Sequence, residues 1–239
     1  MQTGSQPPIL LAPAKTVAEA LASMEAISAA LPATDGLACF NGMYLEVTRA
    51  VAAALDSHEF SDCDFLARLD VAFANLYFDA VNLYFQGSSR ASRAWAPLFS
   101  ARTTAGISPL RFALAGMNAH INHDLCIAVV RVCEERAQPP ERNSAQHRDF
   151  MLINQILRSK EGEMKERFLS GFLKTLDAEL GTVDDRVALW NIEEARNIAW
   201  DHAAILWHLR SSPELTADYL SLLERGVGVA SRGLLIAAF

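Results

Sequence analysis

His120 and Asp124, in the run Asn118-Ala119-His120-Ile121-Asn122-His123-Asp124, have the types and spacing that chemistry needs. Four residues apart on a helix, they project within about 40° of each other, so an imidazole sits beside a carboxylate. That pair suits a general base with its orienting carboxylate, and equally two ligands of a divalent metal. It is also the composition of a buried structural pair that ties helices together. As a metal site the set is incomplete. His123, about 60° to the other side, is a further possible ligand, and the remainder must come from elsewhere. Asn118 and Asn122 point to roughly the opposite face and offer two amides for holding a substrate.

Further polar residues fall in apolar helical patterns and are candidates for substrate contact. Asp70 and Asn75 lie in the stretch 65–85, which is apolar nearly all round, as is 110–132. Helices of that kind occupy the centre of a domain, and an ion buried there without a partner costs several kcal/mol. Glu46 sits beside Asn41 and Tyr44, where a plain ion pair competes with a site role. Asp149 and Asn154 lie about 140° apart on an ideal helix, so they do not form one site by themselves. Arg196 and Trp200 make a stripe that is structural in most proteins but also suits a flat ligand.

The elements that position these residues are helices. Hydrophobic spacing is helical almost throughout and alternating strands are absent, which predicts an all-α, single-domain bundle of about eight to nine helices with apolar central helices. Residues 1–14, with Pro7, Pro8 and Pro13, read as an extended, fraying arm, and 15–239 as one helical domain. Helices are expected near 15–31, 36–57, from Ser61 to Gly87, and around Trp95. Ser108-Pro109 should start a continuous helix reaching about 136, stopped by Pro139-Pro140. Helices near 145–160 and 162–180 follow, then one capped by Thr182 and running to about 211, and a last one from Ser212-Pro213. The repeat of Ala74-Asn75-Leu76-Tyr77-Phe78 as Val81-Asn82-Leu83-Tyr84-Phe85 reads as one packing stripe at heptad spacing.

Composition narrows the function. The 239 residues are 51% hydrophobic and 21% charged, with a net charge of −7. That balance disfavours nucleic acid or an anionic membrane as partner, since both attract basic patches. Met1–Ala14 lacks the basic and apolar regions of a secretory signal, and no apolar run reaches the length of a membrane span. Cys39, Cys63, Cys126 and Cys133 contain no CxxC pair and read as reduced thiols of a cytoplasmic protein. Glycine-rich phosphate loops, HExxH and GxSxG are missing, so no redox cofactor is expected and a divalent metal is the one cofactor left open.

The run Phe112-Ala113-Leu114-Ala115-Gly116-Met117-Asn118-Ala119-His120-Ile121-Asn122-His123-Asp124-Leu125 resembles the hallmark of an uncharacterised domain-of-unknown-function family, common in actinobacteria and seen in fungi. Phe40–Thr48, Leu69–Phe78 and Asp149-Phe150 with Asn154 are similar to other parts of it. The resemblance implies an all-helical domain and picks out Asn118, His120, Asn122 and Asp124. Gly116–His120 is also similar to the Gly-Asp-x-His segment of zinc-dependent helical nucleases and phospholipases, though Met117 stands where that group has its Asp ligand. The expected function is acid–base chemistry by His120 and Asp124 on a small, mostly apolar substrate, as in an isomerase, cyclase or hydrolase. Its alternatives are a metal-dependent hydrolase and a non-catalytic small-molecule-binding protein.

Overall fold

The central element is a composite helix, 109–135, around which the others pack. In the computed structural model, residues 9–157 and 192–236 are described. They form α1 (Val17–Ala30), α2 (Gly36–Asp56), α3 (Cys63–Phe85), the short α4 (Ala96–Ala101) and α5 (Pro109–Ala119). A π-turn, His120–Asp124, then leads into α6 (Leu125–Glu135). After it come α7 (145–157), α8 (Ile192–Leu209) and α9 (Pro213–Leu234). No strand occurs among the described residues, and no helix there is long and apolar enough to cross a membrane. The expected helix at 162–180 and the Thr182 cap lie outside the described residues.

Start and stop signals operate mostly as their chemistry requires. Ser108 caps α5 by accepting the Arg111 N–H, with Pro109 at the first helical position, and Gly87 takes a φ of +65° just past α3. The cap of α3 is Asp62 rather than Ser61, because its carboxylate accepts the Phe65 N–H at 3.0 Å. The expected continuous helix 109–136 is interrupted by the π-turn, where the Leu125 N–H reaches the His120 carbonyl, five residues back.

The repeated Asn75 and Asn82 do more than continue a stripe. Each side-chain amide accepts the N–H and donates to the C=O of one arm residue, Ala14 for Asn75 and Leu11 for Asn82, at 2.8–2.9 Å. Seven helical residues rise about 10.5 Å and three extended residues about 10 Å, so the two spacings match. The arm from Ile9 is therefore pinned along α3 rather than frayed.

Two apolar clusters flank the composite helix. One gathers α1, α2, α4, α5 and the end of α3 around Phe40, Tyr77 and Trp95; the other gathers α6, α7, α8 and the start of α3 around Phe65, Phe150 and Trp200. The π-turn lies where they meet, in contact with α3, α8 and α9. Close approach of α2 to α5 depends on Gly116, where a Cβ would fall 2.4 Å from the Phe40 ring. Alanine in place of a helix-interior glycine normally stabilises by about 1 kcal/mol. Gly116→Ala should instead destabilise by about 1–3 kcal/mol in urea unfolding, the cost of overpacking.

Candidate functional site

Asp124 is the hub. Its Oδ2 accepts the Trp95 indole N–H at 2.9 Å and lies 3.1 Å from His120 Nδ1, while its Oδ1 lies 2.7 Å from His123 Nδ1. All four residues are buried. Burial alone would raise the Asp124 carboxyl, but the bonds to His120 and His123 outweigh it and hold it at about 2. A carboxylate has only acceptors, so both histidines carry their proton on Nδ1.

The two histidines differ in what remains. His123 turns Nε2 towards Glu224 Oε1 on α9, at 3.5 Å. Burial opposes its charge, yet Asp124 and then Glu224 raise it above an ordinary histidine. His120 is pushed down by burial, which the Asp124 bond only partly offsets. Of the two, His123 is therefore the more readily protonated and His120 the one held towards its neutral form. Its Nε2 is buried with no hydrogen-bond partner.

The ring of His120 is enclosed by aromatics. Phe73 stacks flat on it at 3.5 Å and 4°, Tyr44 meets its edge at 4.4 Å, and Phe40, Tyr77 and Trp95 lie within 6.1 Å. Of these five rings only Phe73 is partly exposed. Asp70 Oδ2 is also buried without a partner, and the buried Tyr44 and Thr48 hydroxyls lie beside each other. Burial keeps Tyr44 protonated, reinforced by the nearby Asp70 charge. Burial raises the Asp70 carboxyl to about 7. The π-turn therefore faces an aromatic wall, with His120 Nε2 left unspent.

Residues 17–237 match the model of DUF5995, a family of unknown function. The chain belongs to this family. No curated protein and no solved structure matches it.

In this DUF5995 domain the other candidate residues are distributed away from His120. Asn118 donates to the Val227 carbonyl at 3.0 Å and to Ser231 Oγ at 2.9 Å, and accepts from Asn122 at 2.8 Å. Those amides tie α5 and the π-turn to α9 and border an open groove of about 450 Å³ with His202, Tyr219 and Leu222. Asn75 holds the arm. Asp149 accepts the N–H groups of Ser61 and Asp62 at 3.1 and 2.6 Å, fixing the entrance to α3. Asn154 accepts from Arg196 Nε at 2.7 Å, and Arg196 also donates to the Phe150 carbonyl. Trp200 packs on His147 and Phe150 in the second cluster. Glu46 pairs with Arg49 at 2.7 Å at the surface. Asp70 alone among these acts on a ring that touches His120, through the effect of its charge on Tyr44.

Sequence reading assigned no site role to Trp95, Tyr44, Thr48, Phe73 or Glu224. Only the position of Trp95 beside a short helix and of Tyr44 near Glu46 hinted at them. With both Nδ1 atoms on Asp124, only the Nε2 atoms remain to meet a metal, and among the described residues no group of three or more His, Cys, Asp or Glu could hold an ion. All four cysteines are unpaired, and the Cys126 thiol donates to the His123 carbonyl within the π-turn region.

The raised Asp70 carboxyl gives a signed prediction. An aspartate in the unfolded chain titrates near 3.9. The native state therefore holds a proton that the unfolded state loses, and this group's stability contribution falls as pH rises from about 4 to 7. Asp70→Asn should be more stable than wild type at pH 8 by a few kcal/mol, with the gain vanishing towards pH 4. Thermal unfolding of both proteins across that range measures it.

Proposed function

We propose that the domain is an enzyme that transfers protons on a small, mostly apolar substrate, with His120 as general acid–base and Asp124 as its orienting carboxylate. The observation that carries this reading is the unpartnered Nε2 of His120. An imidazole fixed at Nδ1 by a carboxylate, with a neutral, unspent Nε2, has the arrangement of a base awaiting a proton. Leaving a buried acceptor unsatisfied costs about 1–3 kcal/mol, a cost that packing alone has no reason to retain.

Two neighbours supply the remaining chemistry. Asp70, titrating near 7, can return a proton that His120 removes. Tyr44, kept protonated, can donate a hydrogen bond to oxygen charge that develops during the transfer. The aromatic surround selects an apolar substrate, and Phe73, the one partly exposed ring on His120, is the side chain that must move to admit it. The reaction class is that of an isomerase or cyclase, or of a hydrolase if water enters with the substrate. The four unpaired thiols support a reducing, cytoplasmic location.

A second reading, a non-catalytic small-molecule-binding protein, is favoured by the open groove at Asn118, Asn122, His202 and Tyr219, which stands apart from the His120 imidazole. Proton exchange separates the two. In deuterium oxide, wild type should catalyse deuterium uptake next to the carbonyl of a small apolar ketone, followed by NMR. His120→Gln should slow it by about 100-fold or more, the usual contribution of a general acid–base. Exchange at the wild-type rate in His120→Gln would contradict the enzyme reading and leave the groove as the functional feature.

A further inference from the structure

The face of α9 turned to solvent carries Leu215, Leu222 and Val229, seven residues apart and 54%, 70% and 63% exposed, with Ile236 (58%) just past the helix end. At that spacing they form one stripe along nearly the whole helix, which is about 33 Å long. Scattered exposed apolar residues are ordinary, but a heptad stripe is the pattern of a helix that packs against another helix. Gly226 and Gly233 lie on the same face, and a Cβ at either would meet nothing within 4 Å. Neither glycine is required by packing within the chain, and each weakens the helix by about 1 kcal/mol relative to alanine. A helix laid across them could approach closely.

Charge identifies the occupant. One flank of the stripe carries Glu214 and Asp218 near the N-terminal end and Arg225 and Arg232 towards the C-terminal end, all exposed and none in an ion pair among the described residues. We infer that this face is an antiparallel, two-fold interface with a second copy of the same chain. Centring the two-fold on Leu222 sets Leu215 against the partner's Val229. In an antiparallel pair the same flanks meet, so Asp218 then lies by the partner's Arg225, and Glu214 by the partner's Arg232. A parallel pairing would instead set this flank against the partner's opposite one, where Tyr219, Gly226 and Ala230 offer no charge to answer it. The isologous arrangement closes on itself and leaves no free stripe for further association. A single helix pair is a small interface, so the dimer is concentration-dependent.

Sedimentation equilibrium of the full chain from low to high micromolar concentration tests this. Wild type should move from monomer to dimer. Leu222→Glu should stay monomeric with an unchanged helical circular dichroism spectrum. Asp218→Arg should weaken association at least about tenfold, corresponding to 1.4 kcal/mol, and the added change Arg225→Asp should restore it. Should Leu222→Glu fail to fold, Leu222→Cys provides the alternative, since two copies of residue 222 meet at the axis and should form a disulfide-linked dimer on mild oxidation. A wild-type monomer throughout, with the stripe protected from hydrogen exchange by residues 158–191 of the same chain, would overturn the inference. A dimer that neither Leu222 variant alters would overturn it as well.

Discussion

Keeping the Asp124 carboxylate ionised in the middle of a helical bundle imposes most of the local structure. Taking such a group out of water costs several kcal/mol, and charge-assisted hydrogen bonds recover about 1.5–3 kcal/mol each. Three donors meet it, one remote and two local: Trp95 from the loop before α4, His120 from one helical turn away, and His123 from the neighbouring residue. On an α-helix, adjacent residues diverge by about 100° and do not face one another. The π-turn accompanies a geometry in which both i−1 and i−4 imidazoles reach one carboxylate. The outcome is a division of labour in which Asp124 and Glu224 raise His123 while His120 keeps its free nitrogen.

That division gives the aromatic wall a purpose. Phe40 reaches His120 only because Gly116 lets α2 approach α5, and Tyr77 and Trp95 close the same side. Burial lowers His120 and raises Asp70, moving both towards their neutral forms from opposite directions. Groups so arranged are typical of sites that exchange protons near pH 7. The buried Tyr44 and Thr48 hydroxyls make the arrangement more polar than a packed core requires.

Much of the fold was legible because helices declare themselves locally. Spacing located α1, α2 and α3, the end of α8 and the start of α9 to within a few residues, and Ser108-Pro109 marked the start of α5. The π-turn was not legible: His120, Ile121 and Asn122 carry no signal that separates it from continuing α-helix. Within the site, His120 with Asp124 was readable from their i, i+4 spacing. His123 was not, because ideal helical angles turn it away from Asp124. Trp95 lies 29 residues off, and no local rule connects an indole in a loop to a carboxylate in the central helix. Asn75, Asp149 and Asn154 looked like misplaced polar groups for the same reason, since the arm, the α3 entrance and Arg196 that they serve are remote in sequence.

The protonation state of His120 bears most directly on the account. Nitrogen-15 NMR of the labelled protein, titrated between about pH 5.5 and 8, the range in which histidine ordinarily changes charge, reads each ring nitrogen separately. The account predicts that His120 stays neutral across that range with its proton on Nδ1 and a bare Nε2, while His123 is an imidazolium at the acidic end. A His120 imidazolium at neutral pH, or a proton residing on Nε2, would contradict it.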